Sequence, residues 1–165
     1  MINATKEYLK KFLNGIITKG RVLDVGSKDV NGHIKSELEG WNYTGVDMEF
    51  GPNVDSVVNG HRLAEIYGEE FDLIVCFDTL EHDDRFWLTI EAMRKVLKHG
   101  GWLVIGTPSI NHGIHKYPLD FYRFTEDSYR YIFFEGMKNV HIDTLCFGDN
   151  GPEKPDQIYG YAQKV

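Results

Sequence analysis

Apolar positions along this chain follow two rhythms, one helical and one extended, and they alternate. Tyr8, Leu9, Phe12, Leu13 and Ile16 fall on one helical face and predict an opening helix over 4–18. Gly20 then resets the chain, and RVLDVG (21–26) is a short apolar strand bounded by glycine. A short helix is expected over 33–39, a second strand in WNYTGVDM (41–48) and a brief third in DSVVN (55–59). FDLIVCFD (71–78) carries an unbroken apolar run, Leu73 to Phe77. A strand apolar on both faces belongs in the centre of a parallel sheet covered by helices. Phe86, Ile90, Met93 and Leu97 space out a helix that stops near His99-Gly100-Gly101, and WLVIGTP (102–108) is the next buried strand. Thr125, followed by Glu126 and Asp127, supplies an N-cap and an acidic first turn for a helix ending at Gly136. NVHIDTLCFG (139–148) and QIYGYAQKV (157–165) alternate and read as a hairpin, with the loosest segment, GDNGPEKPD (148–156), between them.

Strands alternating with helices predict a doubly wound α/β fold. The expected sheet is mostly parallel and seven-stranded, with helices on both faces and an antiparallel C-terminal hairpin. Residues 1–165 read as one domain, with 1–19 as the helix preceding the first strand. Composition adds exclusions. Hydrophobic residues at 42% and charged residues at 26% are globular values, and a net charge of −7 argues against a dedicated nucleic-acid binder. No apolar run approaches the ~20 residues of a membrane span, and the N-terminus lacks a signal-peptide core. Cys76 and Cys146 have neither metal-ligand nor redox spacing. A cytoplasmic protein without membrane or nucleic-acid partners is expected.

In such sheets ligands bind beyond the carboxyl ends of the strands. Those ends read Asp24-Val25-Gly26-Ser27, Asp47-Met48, Asn59-Gly60-His61 and Asp78-Thr79-Leu80-Glu81-His82. Asp24 and Asp47 lie 23 residues apart, close to the interval between a cofactor turn and a ribose-binding acid. Gly26 permits a sharp turn and close approach to a ligand. Lys28 and Val30, however, stand where a dinucleotide fingerprint has glycine. Lys28 would obstruct a pyrophosphate, which argues against a nicotinamide-dependent oxidoreductase.

Taken together, VLDVGS, YTGVDM, FDLIVCFDTLEH and LKHGGWLVIGTP resemble the motifs of the Rossmann-like, S-adenosylmethionine-dependent methyltransferases, in particular the small-molecule group with LEH after the fourth strand. The similarity runs from about residue 20 to the end. HKYPLDFYRFT (115–125) resembles a motif of one bacterial and phage-associated branch. The resemblance implies S-adenosyl-L-methionine as cofactor. It implies that Asp24, Val25, Gly26 and Ser27 hold the methionine end, while Asp47 takes the ribose hydroxyls and Met48 packs on the adenine. Asn59, Gly60 and His61 would read the adenine edge, and Phe77, Asp78 and Thr79 would close the pocket beneath the sulfonium. The family's usual loop has further glycines at positions 28 and 30; Asn31-Gly32 supplies a later turn, so the loop is reshaped.

The acceptor side is read from position. His82 follows the fourth strand and is either a general base or a helix cap. His115, Tyr117 and Arg123 sit in the polar, aromatic segment after the fifth strand, as an acceptor wall or as a structural loop in which Asp120 pairs with Arg123. His112 and His115 lack a third ligand, so no metal is expected. The acceptor is expected to be a small molecule or glycan-type group. The short chain before the first strand leaves little for a substrate-capping domain and allows a homodimer. The alternative is a cofactor-binding module or inactive partner subunit.

Overall fold

The computed structural model describes residues 2–16, 18–146 and 155–165. Its strands are β1 (Arg21–Val25), β2 (Asn42–Asp47), β3 (Ser56–Val57), β4 (Phe71–Phe77), β5 (Leu97–Pro108), β6 (Lys138–Leu145) and β7 (Gln157–Gln163). They form one sheet in the order β3-β2-β1-β4-β5-β7-β6. The first five strands pair in parallel, and β7 runs antiparallel between β5 and β6. This is the expected doubly wound sheet with its terminal hairpin.

The central strands are buried on both sides, which explains their unbroken apolar runs. Val22, Leu73, Val75, Val104 and Tyr159 face one layer; Leu23, Ile74, Cys76, Leu103 and Ile158 face the other. Helix α1 (Ile2–Leu13) covers the first face with Tyr8, Leu9 and Phe12. There the ring of Tyr8 stacks on Tyr159 at 4.8 Å. Helix α3 (Phe86–Val96) covers the second face through Ile90, Met93 and Val96. Beside it Phe86, Phe124 and Phe133 pack edge to face, and buried Tyr129 donates to the Ile158 carbonyl at 2.8 Å.

Several boundaries differ from expectation. Helix α1 is shorter than 4–18, and the helix expected over 33–39 is one 3-10 turn, Lys35–Leu38, closed by Gly40 at φ +82°. A single turn not expected from the pattern, α2 (Leu63–Ile66), precedes β4. Helix α3 ends at Val96, and β5 starts at Leu97, well before Trp102. Pairing on both sides decides this: Leu97 pairs with Phe71 of β4, and just beyond β7 Gly100 donates to the Lys164 carbonyl (3.0 Å) while Lys164 donates to that of Gly101 (2.9 Å). Past Thr125, α4 (Glu126–Ser128) runs at once into a π turn, Tyr129–Phe133. Strand β6 stops at Leu145; residues 148–154 of the loop and the last positions expected in that strand lie outside the described residues.

Candidate active site

Strand order reverses between β1 and β4, and a crevice opens where chains leave such a point in opposite directions. The ends of β1, β2 and β4 therefore bring Asp24, Gly26, Asp47 and Asp78 to one edge. Gly26 adopts φ +82°, and a Cβ there would overlap the side chain of Thr79. Only glycine lets the two turns approach this closely. Its N–H and that of Ser27 both donate to the Val46 carbonyl, at 2.9 and 3.0 Å. These two amides, expected to hold the methionine end, are thus spent on fixing β1 to β2.

Asp24 is buried and accepts a 2.8 Å bond from the Tyr43 hydroxyl. Burial pushes its carboxyl up to about 7; the Tyr43 bond opposes this, and the Asp47 charge adds to it. Asp47 is held by two backbone amides, those of Lys28 (3.2 Å) and Glu49 (3.0 Å). Met48 beside it is 68% exposed and free to cover a flat ligand.

The loop after Gly26 shows why glycines are absent from 28 and 30. It does not wind into a helix N-terminus; it crosses to the β2–β3 connection instead. Ser27 donates to Asn53, Asp29 donates to Pro52, and the Lys28 ammonium meets Glu49 at 2.6 Å and the Tyr117 hydroxyl at 3.4 Å. Lys28 is therefore a bridge from the cofactor-side loop to the segment after β5.

Asn59 caps the next turn, accepting the His61 N–H at 2.9 Å. A Cβ at Gly60 would press on Thr89 at 2.7 Å. The His61 ring is bound to Asp83 at 2.8 Å, which Thr89 also contacts at 2.6 Å. His61 thus positions this edge and leaves little of its ring for a base. Phe77 packs on Tyr159, and Thr79 donates to the Phe77 carbonyl. Asp78 takes φ +47°, a left-handed turn at the end of β4. Burial, then the charge of Glu81, pushes its carboxyl up to about 7, and its Oδ1 has no hydrogen-bond partner among the described residues.

On the acceptor side, His82 and His115 meet edge to face with ring centres 5.0 Å apart, both against the fully buried Glu81. The Glu81 backbone carbonyl also accepts the Phe121 N–H at 2.8 Å, which docks the 115–124 segment onto the end of β4. The His115 imidazole is pushed up, first by its bond to Glu81. Arg123 behaves differently. Its guanidinium grips Asp120 with two bonds (2.5 and 2.6 Å) and donates to the carbonyls of His112, Tyr122 and Gly113. All its N–H groups are engaged, so it closes the loop on itself and has none left for an acceptor. The pair holds the Asp120 carboxyl far below the usual carboxylate range. Tyr117, half exposed, stands at the mouth above Lys28.

Two residues of the site were not assigned a role from the sequence. Tyr43 lies on β2 two residues before Gly45, and its reach to Asp24 depends on the β1–β2 register. Glu81 stands inside the quoted LEH, but its burial comes from a 3-10 turn that no periodicity announces.

Sheet order, reversed hairpin and acid-tipped strands define a Rossmann-like methyltransferase architecture. The comparisons agree. A family profile described as a methyltransferase domain matches residues 1–142, and the chain belongs to that family. A ubiquinone biosynthesis O-methyltransferase of Hydrogenovibrio crunogenus is 30% identical over 123 residues, 64% of this chain and 49% of that protein. One of the same name from Erwinia tasmaniensis is 32% identical over 124 residues, with the same coverage. The chain thus spans about half the length of the curated relatives it matches. Among solved structures, a methyltransferase of Archaeoglobus fulgidus aligns with a TM-score of 0.73 at 15% identity, covering 98% of this chain and 94% of that one. An N-methyltransferase of Bradyrhizobium japonicum, crystallised with S-adenosyl-L-homocysteine, aligns at 0.71 and 18% identity, covering 98% and 86%. At these identities the structures speak for the fold.

Proposed function

We propose that the protein is an S-adenosyl-L-methionine-dependent methyltransferase acting on a small-molecule or glycan-type acceptor. The observation that carries the reading is Asp47: a carboxylate at the end of β2, oriented by two backbone amides and beside the strand-order reversal. A carboxylate so placed accepts bonds from two vicinal ribose hydroxyls. Met48 would lie on the adenine, and the turn Asn59-Gly60-His61 would bound its edge. Asp24, its carboxyl raised by burial, would meet the α-ammonium, which would hold it ionised. Phe77, Asp78 and Thr79 would floor the sulfonium. When bound, S-adenosylmethionine supplies an electrophilic methyl, so the chain's task is chiefly to position an acceptor.

His82, His115 and Tyr117 would form the acceptor wall, with Arg123 and Asp120 as its internal brace. The relatives named for ubiquinone biosynthesis O-methylation support a small molecule with a hydroxyl acceptor. Among the described residues no helix is long and apolar enough to cross a membrane, and both cysteines are free, which supports a thiol-reducing, cytoplasmic setting. The test is thermal unfolding with S-adenosylhomocysteine and with NAD. The first, at 100 times its dissociation constant, should add about 2.7 kcal/mol and the second nothing. Stabilisation by NAD alone would overturn the assignment. Production of S-adenosylhomocysteine with phenolic or sugar acceptors then separates a working enzyme from a binding module.

A further inference from the structure

The group around Glu81 is poorly explained by hydrogen bonding alone. Its carboxylate has no exposed surface, and Oε2 has no hydrogen-bond partner among the described residues. Oε1 lies 3.2 Å from Nε2 of His115 and 3.7 Å from Nε2 of His82. His82 Nδ1 donates to the Leu119 carbonyl at 2.5 Å. A carbonyl only accepts, so in the neutral ring that bond places the proton on Nδ1 and turns the Nε2 lone pair toward Glu81. Lone pair and carboxylate then face each other at 3.7 Å. His115 turns its Nε2 to Oε1 within hydrogen-bond distance, while its Nδ1, buried and without a hydrogen bond, looks toward Oδ2 of Asp120 at 3.9 Å.

We infer that Glu81, His82 and His115 form a binding site for a divalent transition-metal ion. The three ligand atoms lie within 4.8 Å of one another. Bonds of about 2.0–2.1 Å at tetrahedral angles would set them about 3.3 Å apart, so tenths of an ångström close two edges and a small rotation of one imidazole closes the third. His82 has its far nitrogen hydrogen-bonded to the Leu119 carbonyl, as metal-bound imidazoles do, and that of His115 points toward the Asp120 carboxylate 3.9 Å away. Two imidazoles and one carboxylate suit zinc, cobalt, nickel or iron, and not magnesium or calcium, which favour all-oxygen shells. Asp78, at the end of β4 just before Glu81, has an orphaned buried Oδ1 of its own. Three protein ligands would leave an open position, and both imidazoles are partly exposed (17% and 30%). The ion would also tie the segment after β5 to the end of β4.

The inference does not depend on methyl transfer, and its test reads the metal directly. The purified protein, stripped with chelator, is titrated with cobalt(II) and followed by visible absorption and calorimetry. One ion per chain should bind with the intense ligand-field bands of a four-coordinate N/O site, zinc should displace it, and excess magnesium should not. His115→Gln should abolish the bands and weaken affinity beyond the roughly 10–100-fold that loss of an outer-shell partner costs. His112→Gln, whose parent ring sits beside His115 but outside the triad, should leave both unchanged. Thermal stabilisation by S-adenosylhomocysteine, retained in His115→Gln, shows that the variant is folded and keeps the cofactor question separate. Absence of stoichiometric binding in the parent protein, or unchanged bands and affinity in folded His115→Gln, would overturn the site. The latter would identify the cluster as a Glu81–imidazolium pair.

Discussion

Replacing Asp24 by Asn tests whether this acid is held protonated by the fold. Asp24 sits 5% exposed at the end of β1, with its carboxyl at about 7 against an ordinary value of 3.8. A carboxyl raised on folding holds its proton longer in the native state than in the unfolded chain. Stability therefore declines as pH rises from about 4, and the loss is complete a little above 7. At about 1.36 kcal/mol per pH unit the full loss is about 4 kcal/mol, of which roughly 2–3 kcal/mol falls between about pH 5 and about pH 8. Asn keeps an acceptor for Tyr43 and cannot ionise. Urea unfolding of both proteins at the two pH values should show the variant gaining that 2–3 kcal/mol on its parent as pH rises. Other titrating groups, Asp78 among them, cancel in the comparison. Parallel pH profiles would refute the reasoning, because they would mean that the Tyr43 bond and local hydration fully offset the burial of the charge.

Arg123→Ala should destabilise the protein by about 3 kcal/mol in urea unfolding, since it leaves the Asp120 carboxylate, whose side chain is 2% exposed, with only the His115 N–H as donor. The Asp120 carboxyl is depressed, first by its bonds to Arg123, so its contribution is present above about pH 4 and is lost as pH falls below that; the alanine variant, left with the His115 amide alone, should show a smaller acid-side loss. If Arg123→Ala instead leaves stability intact and removes only methyl transfer, the brace is an acceptor contact after all. Asp47→Ala should fold normally yet bind S-adenosylhomocysteine less tightly in calorimetry, with about 1.5–3 kcal/mol at stake for each charge-assisted bond. Unchanged affinity in a folded variant would remove the ribose role.

Much of this protein is settled by local physics. Apolar runs such as Leu73–Phe77 require burial on both faces, and the alternation in 139–145 and 157–163 announces a hairpin that covers one edge. Gly26 and the acids at 24, 47 and 78 mark strand ends, because a charge or a left-handed turn ends a buried run. Which strands become neighbours is a different matter. It follows from pairing between distant residues, as when Leu97 pairs with Phe71 of β4 and Gly100 and Gly101 bond Lys164, drawing the start of β5 into a strand instead of a helix. The same holds for chemistry. Asp24, Asp47 and the Glu81-His82 pair were legible as residues, but the burial of Glu81, the tautomer of His82 and the commitment of Arg123 arise only when the 115–124 segment folds back onto β4. A side chain's charge, lone pairs and free N–H groups are decided by its neighbours in space, and sequence order alone does not specify them.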